Sequence, residues 1–258
     1  MRAHGIGHDA SADSRMSEAE RGTRIDLAAC YRLVDLYGWS DLTSTHISAR
    51  IPGDNDSFLI SPFPSFFDQI RAGDLVKVDH DGTVLSDGDH GINAAAITVH
   101  SAVHMARPDV RCVIHTHTTA GMAVSALNCG LLPMSQHALW FYDRIGYHDY
   151  EGIADDLAER ERLLRDLGRY NALILRNHGR LTAADSIPNA FKMLYYLEKS
   201  CQAQLAAMAA VGEAGLRLPS AKVCDHAAAQ YAKLTDFGDI DWPGHLRKLD
   251  ALDPSYRA

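Results

Sequence analysis

"VRCVIHTHTTAG", residues 110–121, carries the reading of the fold. Val110, Cys112, Val113 and Ile114 make an apolar, β-branched run of the kind that forms a strand. His115 and His117 follow it at spacing i, i+2, which places both imidazoles on one face if the strand persists through them. A helix is expected to start at Thr118 or Thr119. Two imidazoles on one face can share a metal ion, each nitrogen about 2.0–2.1 Å from it. Equally, one can be a core histidine bonded to backbone and the other a solvated strand end.

Working outward, "TRIDLAACYRLVDLYG" (23–38) has apolar residues at helical spacing and stops at Gly38. "HISARI" (46–51) and "SFLISP" (57–62) read as strands. "LVKVDHDGTVL" (75–85) reads as strand, Asp-Gly turn and strand. Residues 93–106 repeat at helical spacing before Pro108. Beyond the central stretch, "DDLAERERLLRDLG" (155–168) is an amphipathic helix and "NALILRNHG" (171–179) a second apolar strand that breaks at Gly179. "IPNAFKMLYYLEKSCQAQLAAMAAVG" (187–212) is a long helix with proline near its start. The remainder, 216–258, is expected to be a helical extension that mixes a short helix with "DIDWPGHLRKLD" (239–250). Residues 1–20 read as a flexible tail, with Met16 as an alternative start, and 21–258 as one α/β domain with helices covering a mixed sheet.

Composition narrows the function. The chain has 258 residues, 47% hydrophobic and 22% charged, as in ordinary globular proteins. A net charge of −8 without clustered Lys and Arg argues against a nucleic-acid partner. No apolar run reaches the roughly 18 residues that span a membrane, and residues 1–20 have no signal-peptide core. Five scattered cysteines without CxxC spacing read as reduced thiols, hence a cytoplasmic protein.

A third histidine, His178, lies 61 residues after His117, where it follows another apolar strand and precedes Gly179. Glycine lets the backbone turn or approach a neighbour closely there. Two strands ending in histidines can converge at one sheet edge, where open α/β sheets bind ligands. A three-histidine site is then geometrically natural. His100 and His104, at i, i+4, have metal-helix spacing but no HExxH glutamate, and are read as packing or capping.

"RPDVRCVIHTHTTAGMAVSALNCGLLP" (107–133) followed by "NALILRNHGRLT" (171–182) resembles the class II aldolase/adducin superfamily, whose best-known members are fuculose-phosphate aldolases. The resemblance runs from Ile25 to Tyr196 and more weakly beyond. It implies a single three-layer α/β/α domain around a mixed, largely antiparallel sheet, assembled as a C4-type homotetramer. It also implies that His115, His117 and His178 ligate a divalent metal, usually Zn²⁺, with Fe²⁺ or Mn²⁺ as alternatives.

Departures from the family pattern shape the functional expectation. Where the sugar-phosphate aldolases carry Ser-Ser-Glu, this chain has Ala94, Ala95 and Ala96, which neither ligate nor move protons. The phosphate loop falls at Phe63-Pro64, and proline lacks a backbone donor. Cleavage of a sugar phosphate is therefore disfavoured. His137, near the family's catalytic tyrosine, is the candidate acid-base. His46, Ser61 and Tyr142 are candidate substrate contacts. Lyase chemistry on a small non-phosphorylated hydroxy or keto acid is the leading expectation. The alternatives are an Fe(II) oxygenase of aromatic or keto acids using the same three histidines, and a non-catalytic adducin-like module. The segment after Asp239 is expected to close over a neighbour's site, so that removing it would abolish activity without unfolding the chain.

Overall fold

A computed structural model describes residues 16–86, 91–152 and 158–258. Seven strands among them form one sheet: β1 (His46–Ala49), β2 (Ser57–Ile60), β3 (Val76–Asp79), β4 (Cys112–Thr116), β5 (Ile145–His148), β6 (Ala172–Leu175) and β7 (Gly179–Ala184). The spatial order is β3-β2-β1-β4-β7-β6-β5, and every neighbouring pair is antiparallel except the parallel β5–β6. The sheet is thus mixed and largely antiparallel, as expected.

The strand period of two decides what covers each face. Ile47, Cys112 and Ile114 point into a core shared with α1 (Glu18–Leu36), α5 (Ile187–Val211) and the C-terminal α7 (Phe237–Leu252). Val113, Leu173, Leu181 and Ala183 point the other way, against α2 (Ala94–Ala106) and α4 (Glu159–Leu167). Helices on both faces of one sheet make three layers. The short α3 (Thr119–Ser125) follows β4, and α6 (Ala221–Tyr231) precedes α7.

Local chemistry sets the helix limits. The Asn93 side chain accepts from the amides of Ala95 and Ala96 and caps α2, and Thr118 caps α3 through the Gly121 amide. Ser186 caps α5, whose Pro188 sits in the first turn, where no amide is needed.

Several elements differ from the sequence reading. Helix α1 starts at Glu18, inside the expected tail, and residues 1–15 lie outside the described residues. The second arm of the expected hairpin at 75–85 forms a single bridge, Val78↔Val84, because its turn runs through Asp79, which accepts from the amides of Asp81 and Thr83. Part of the expected 155–168 helix lies outside the described residues; α4 covers Glu159–Leu167 and ends at Gly168. Gly179 does not end a strand but opens β7. Pro243 lies inside α7, where Trp242 is buried and donates from Nε1 to Asp26 Oδ1 at 2.9 Å. Packing of Trp242 and Leu249 outweighs the amide lost at the exposed proline. Trp242, Leu249 and Tyr256 belong to the main core cluster. Removing everything after Asp239 would therefore strip the core, contrary to the expectation of a truncation that abolishes activity without unfolding the chain.

Candidate metal centre

The C-terminal end of β4, the start of β7 and the end of β6 lie at one sheet edge, because β4–β7 and β6–β7 are both antiparallel. β4 ends at Thr116, one residue short of His117, yet His117 still turns to the side of His115. Between β6 and β7 the chain turns through Asn177, at φ +56°, and His178. The result is three imidazoles with their Nε2 atoms gathered: His117 to His115 at 2.8 Å and His117 to His178 at 2.9 Å. Among the described residues these three form one group able to hold a metal ion.

Gly179 explains the close approach. A Cβ there would stand 2.6 Å from the Thr116 carbonyl oxygen and 2.9 Å from Cδ2 of His117. Glycine lets β7 come this near to the β4 end, and so brings His178 against His117.

Other groups fix the rings. His115 Nδ1 lies 3.0 Å from the Arg180 carbonyl, and His117 Nδ1 lies 3.0 Å from Asp41 Oδ2. Both partners accept, so each ring carries its proton on Nδ1 and presents a bare Nε2 to the centre. Burial, and then the neighbouring histidines, hold His115 well below the usual histidine range; the same causes push His178 down to about 4. Their lone pairs are therefore free at neutral pH. Bare nitrogens facing one another repel, and a cation between them removes that conflict. This donor set fits a divalent metal.

The edge is braced from the other face. Arg180, 1% exposed, forms a buried ion pair with Glu198 of α5. Glu198 Oε2 also accepts from Thr118 Oγ1 at 2.7 Å, and Oε1 from Gln202 at 2.6 Å. These contacts pin β7 and the β4–α3 junction to α5.

His46 starts β1 directly opposite His115, with ring centroids 5.0 Å apart. Ser61 lies just past β2 at the same edge, where Tyr31 Oη takes the amides of both Ile47 (3.1 Å) and Ser61 (3.0 Å). Ala96 is fully buried beside Phe58, Ile60 and Ile97, so the first turn of α2 brings only methyl groups to this region. The structure does not bring His137 or Tyr142 to the three histidines within one chain. The His137 ring packs on Tyr196 at 4.3 Å. Tyr142 lines a cleft of about 760 Å³ with Asp109, Asn171 and Ala184, residues at the opposite ends of the strands.

Sequence reasoning missed Asp41, which stands in a loop 76 residues from His117 with no motif to mark it. It also missed Arg176, which with Tyr150 and Asn177 lines an open cleft of about 550 Å³ beside His178. His148, held between Asp166 (2.8 Å) and Glu159 (3.3 Å), lines the narrow pocket next to it.

With fold and site in view, relatives place the chain. Residues 25–205 match the family described as Class II Aldolase and Adducin N-terminal domain. A protein of Pseudomonas aeruginosa named for the class 2 aldolases is 48% identical over 252 residues, covering 96% of both chains. Alpha-adducin of Mus musculus is 43% identical over 198 residues, which cover 76% of this chain and 27% of the adducin. An aldolase II superfamily protein from Pseudomonas syringae superposes with a TM-score of 0.92 at 45% identity, covering 96% of this chain and all of that one. An L-fuculose 1-phosphate aldolase from Glaciozyma antarctica superposes with a TM-score of 0.82 at 25% identity, covering 98% and 97%. The chain belongs to the class II aldolase/adducin family.

Proposed function

We propose that the chain is a divalent-metal-dependent lyase that cleaves or decarboxylates a small, non-phosphorylated hydroxy or keto acid. The observation that carries this reading is the convergence of three histidine Nε2 atoms at one sheet edge, that of His117 lying 2.8 Å from His115 and 2.9 Å from His178. His115, His117 and His178 would hold the metal, with zinc first and Fe²⁺ or Mn²⁺ as alternatives. When bound, it supplies Lewis-acid polarisation of a substrate carbonyl. Asp41 and the Arg180 carbonyl hold two of the rings in the ligating tautomer.

Ala94, Ala95 and Ala96 offer neither hydroxyl nor carboxylate, and Pro64 has no amide to donate. His46 and Ser61 stand at the same edge as the triad, in reach of a small substrate bound there. His137 and Tyr142 serve this site only if a neighbouring subunit brings them to it, which fits a C4-type homotetramer in the cytoplasm.

Metal analysis combined with a screen of hydroxy and keto acids tests the proposal. Zinc with cleavage or decarboxylation of one acid supports it. Iron with O₂ uptake in the presence of aromatic or keto acids supports the oxygenase reading of the same triad instead. Absence of both metal and turnover points to an adducin-like module. Among the described residues, no helix is long and apolar enough to cross a membrane.

A further inference from the structure

The open cleft beside His178 holds a cation without a counter-ion. Arg176 follows the last residue of β6, and its amide extends the β5–β6 ladder by bonding the His148 carbonyl at 2.8 Å. Strand alternation turns it away from Leu175, which packs toward α2 and α4, and onto the face that α3 covers. There its guanidinium is held on two sides. The Tyr147 ring lies under it, 4.4 Å from the guanidinium carbon, and Tyr147 Oη in turn accepts from the Leu131 amide at 3.0 Å. One terminal nitrogen donates to the Leu127 carbonyl at 2.6 Å.

A guanidinium carries five N–H donors and keeps its charge throughout the range in which proteins fold. Among the described residues no carboxylate comes within 4.0 Å of this one, not even Asp149 on the same cleft wall. None of its nitrogens is both buried and unpartnered, so the donors that Leu127 leaves free open to the cleft. Asn128, Asn177 and Tyr150 line the same space with amides and a hydroxyl. A fork-shaped cation, fixed in place and left unneutralised, is the partner that a planar carboxylate matches with two parallel bonds. One positive charge beside Asp149 suits a carboxylate monoanion, whereas a phosphate dianion would add repulsion from the aspartate.

Tyr150 joins this cleft to the histidine triad, since it lines the cleft and its ring stands 6.3 Å from that of His178. His115 alternates with Ile114 and so lies on the α2 face, opposite Arg176. The way from Arg176 to the triad therefore runs over the end of β6, past Asn177 and His178. A long acid with a carboxylate at each end can meet both places, whereas a short monocarboxylic acid meets one. We propose that Arg176 is the specificity-determining residue for a terminal carboxylate, so that the substrate is a hydroxy or keto dicarboxylic acid whose other end lies at the triad. The choice of substrate rests on the metal-site reading; the carboxylate subsite does not.

The side-chain Nε–H resonance of Arg176, assigned through Arg176→Lys, reports on the subsite in metal-free protein. Glutarate is expected to shift it saturably, neutral glutaramide to leave it in place, and inorganic phosphate to shift it less than glutarate at equal concentration. No shift with glutarate, an equal one with glutaramide, or a larger one with phosphate overturns the subsite. Calorimetry on zinc-loaded protein tests the specificity with 2-hydroxyglutarate and 2-hydroxyvalerate, acids of equal length that end in a carboxylate and a methyl group. Wild type is expected to bind the first about tenfold more tightly, and Arg176→Gln to lose that preference. Equal binding by wild type, or a preference that survives in Arg176→Gln, contradicts the proposal. Protein that takes up no zinc refutes the metal-site reading and the choice of substrate with it, and the glutarate titration still decides the subsite.

Discussion

Asp41 gives the sharpest test of how the triad is held. Replacing it with alanine removes the acceptor 3.0 Å from His117 Nδ1, so the ring is no longer held with Nε2 toward the centre. Loss of a carboxylate behind a ligating histidine typically costs about 10–100-fold in metal affinity. The Asp41 side chain is 46% exposed while that of His117 is 14% exposed, so solvent screening favours the lower end of that range. The expected loss is about tenfold, or about 1.4 kcal/mol. Asp41 lies outside the core clusters, so the melting temperature of the metal-free protein is expected to stay put. Asp41→Asn keeps an oxygen for the Nδ1 proton and should lose less. Competition of zinc between the protein and a chromophoric chelator measures both variants. Asp41→Ala binding zinc within twofold of wild type would refute the argument.

Gly179→Ala forces a Cβ against the Thr116 carbonyl and the His117 ring, so both stability and zinc affinity should fall, as denaturant melts and the same competition would report. Arg180→Ala strands Glu198 in the core and is expected to cost about 3–5 kcal/mol in chemical denaturation, whereas the double change Arg180→Met with Glu198→Leu should recover most of it. Burial alone would raise the Asp54 pKa, but hydrogen bonds from Lys77 and Ser57 outweigh it and hold the carboxyl at about 2. A depressed carboxylate stabilises the fold above its unfolded pKa and loses that contribution as pH falls through the folded value. Asp54→Asn should thus cost about 1 kcal/mol at pH 7, allowing for screening, and progressively less between pH 4 and 2.

How far the sequence reveals this molecule depends on the range of the interaction. The strand 112–116, the helix 94–106 and the triad are legible because apolar runs, caps and a glycine mark them locally. β7 is not, because Arg180 reads as solvent-facing until Glu198, 18 residues on, is seen to neutralise it in the core. Asp41 is invisible for the same reason, since only the fold brings it to His117. His100 and His104 read as packing because the serine and histidine they bond lie on a strand more than fifty residues earlier. The positions of His137 and Tyr142, away from the triad in one chain, follow from the return of the chain through β5 to the far side of β6, which no local motif announces.

His115, His117 and His178 are proposed to hold one metal ion between them. Elemental analysis of protein purified without a polyhistidine tag, beside His115→Ala/His117→Ala prepared identically, tests it most directly. About one equivalent of divalent metal per wild-type chain is expected and essentially none in the double variant, whose fold should survive by circular dichroism. Full metal content in the double variant, or none in wild type after zinc loading, would contradict it.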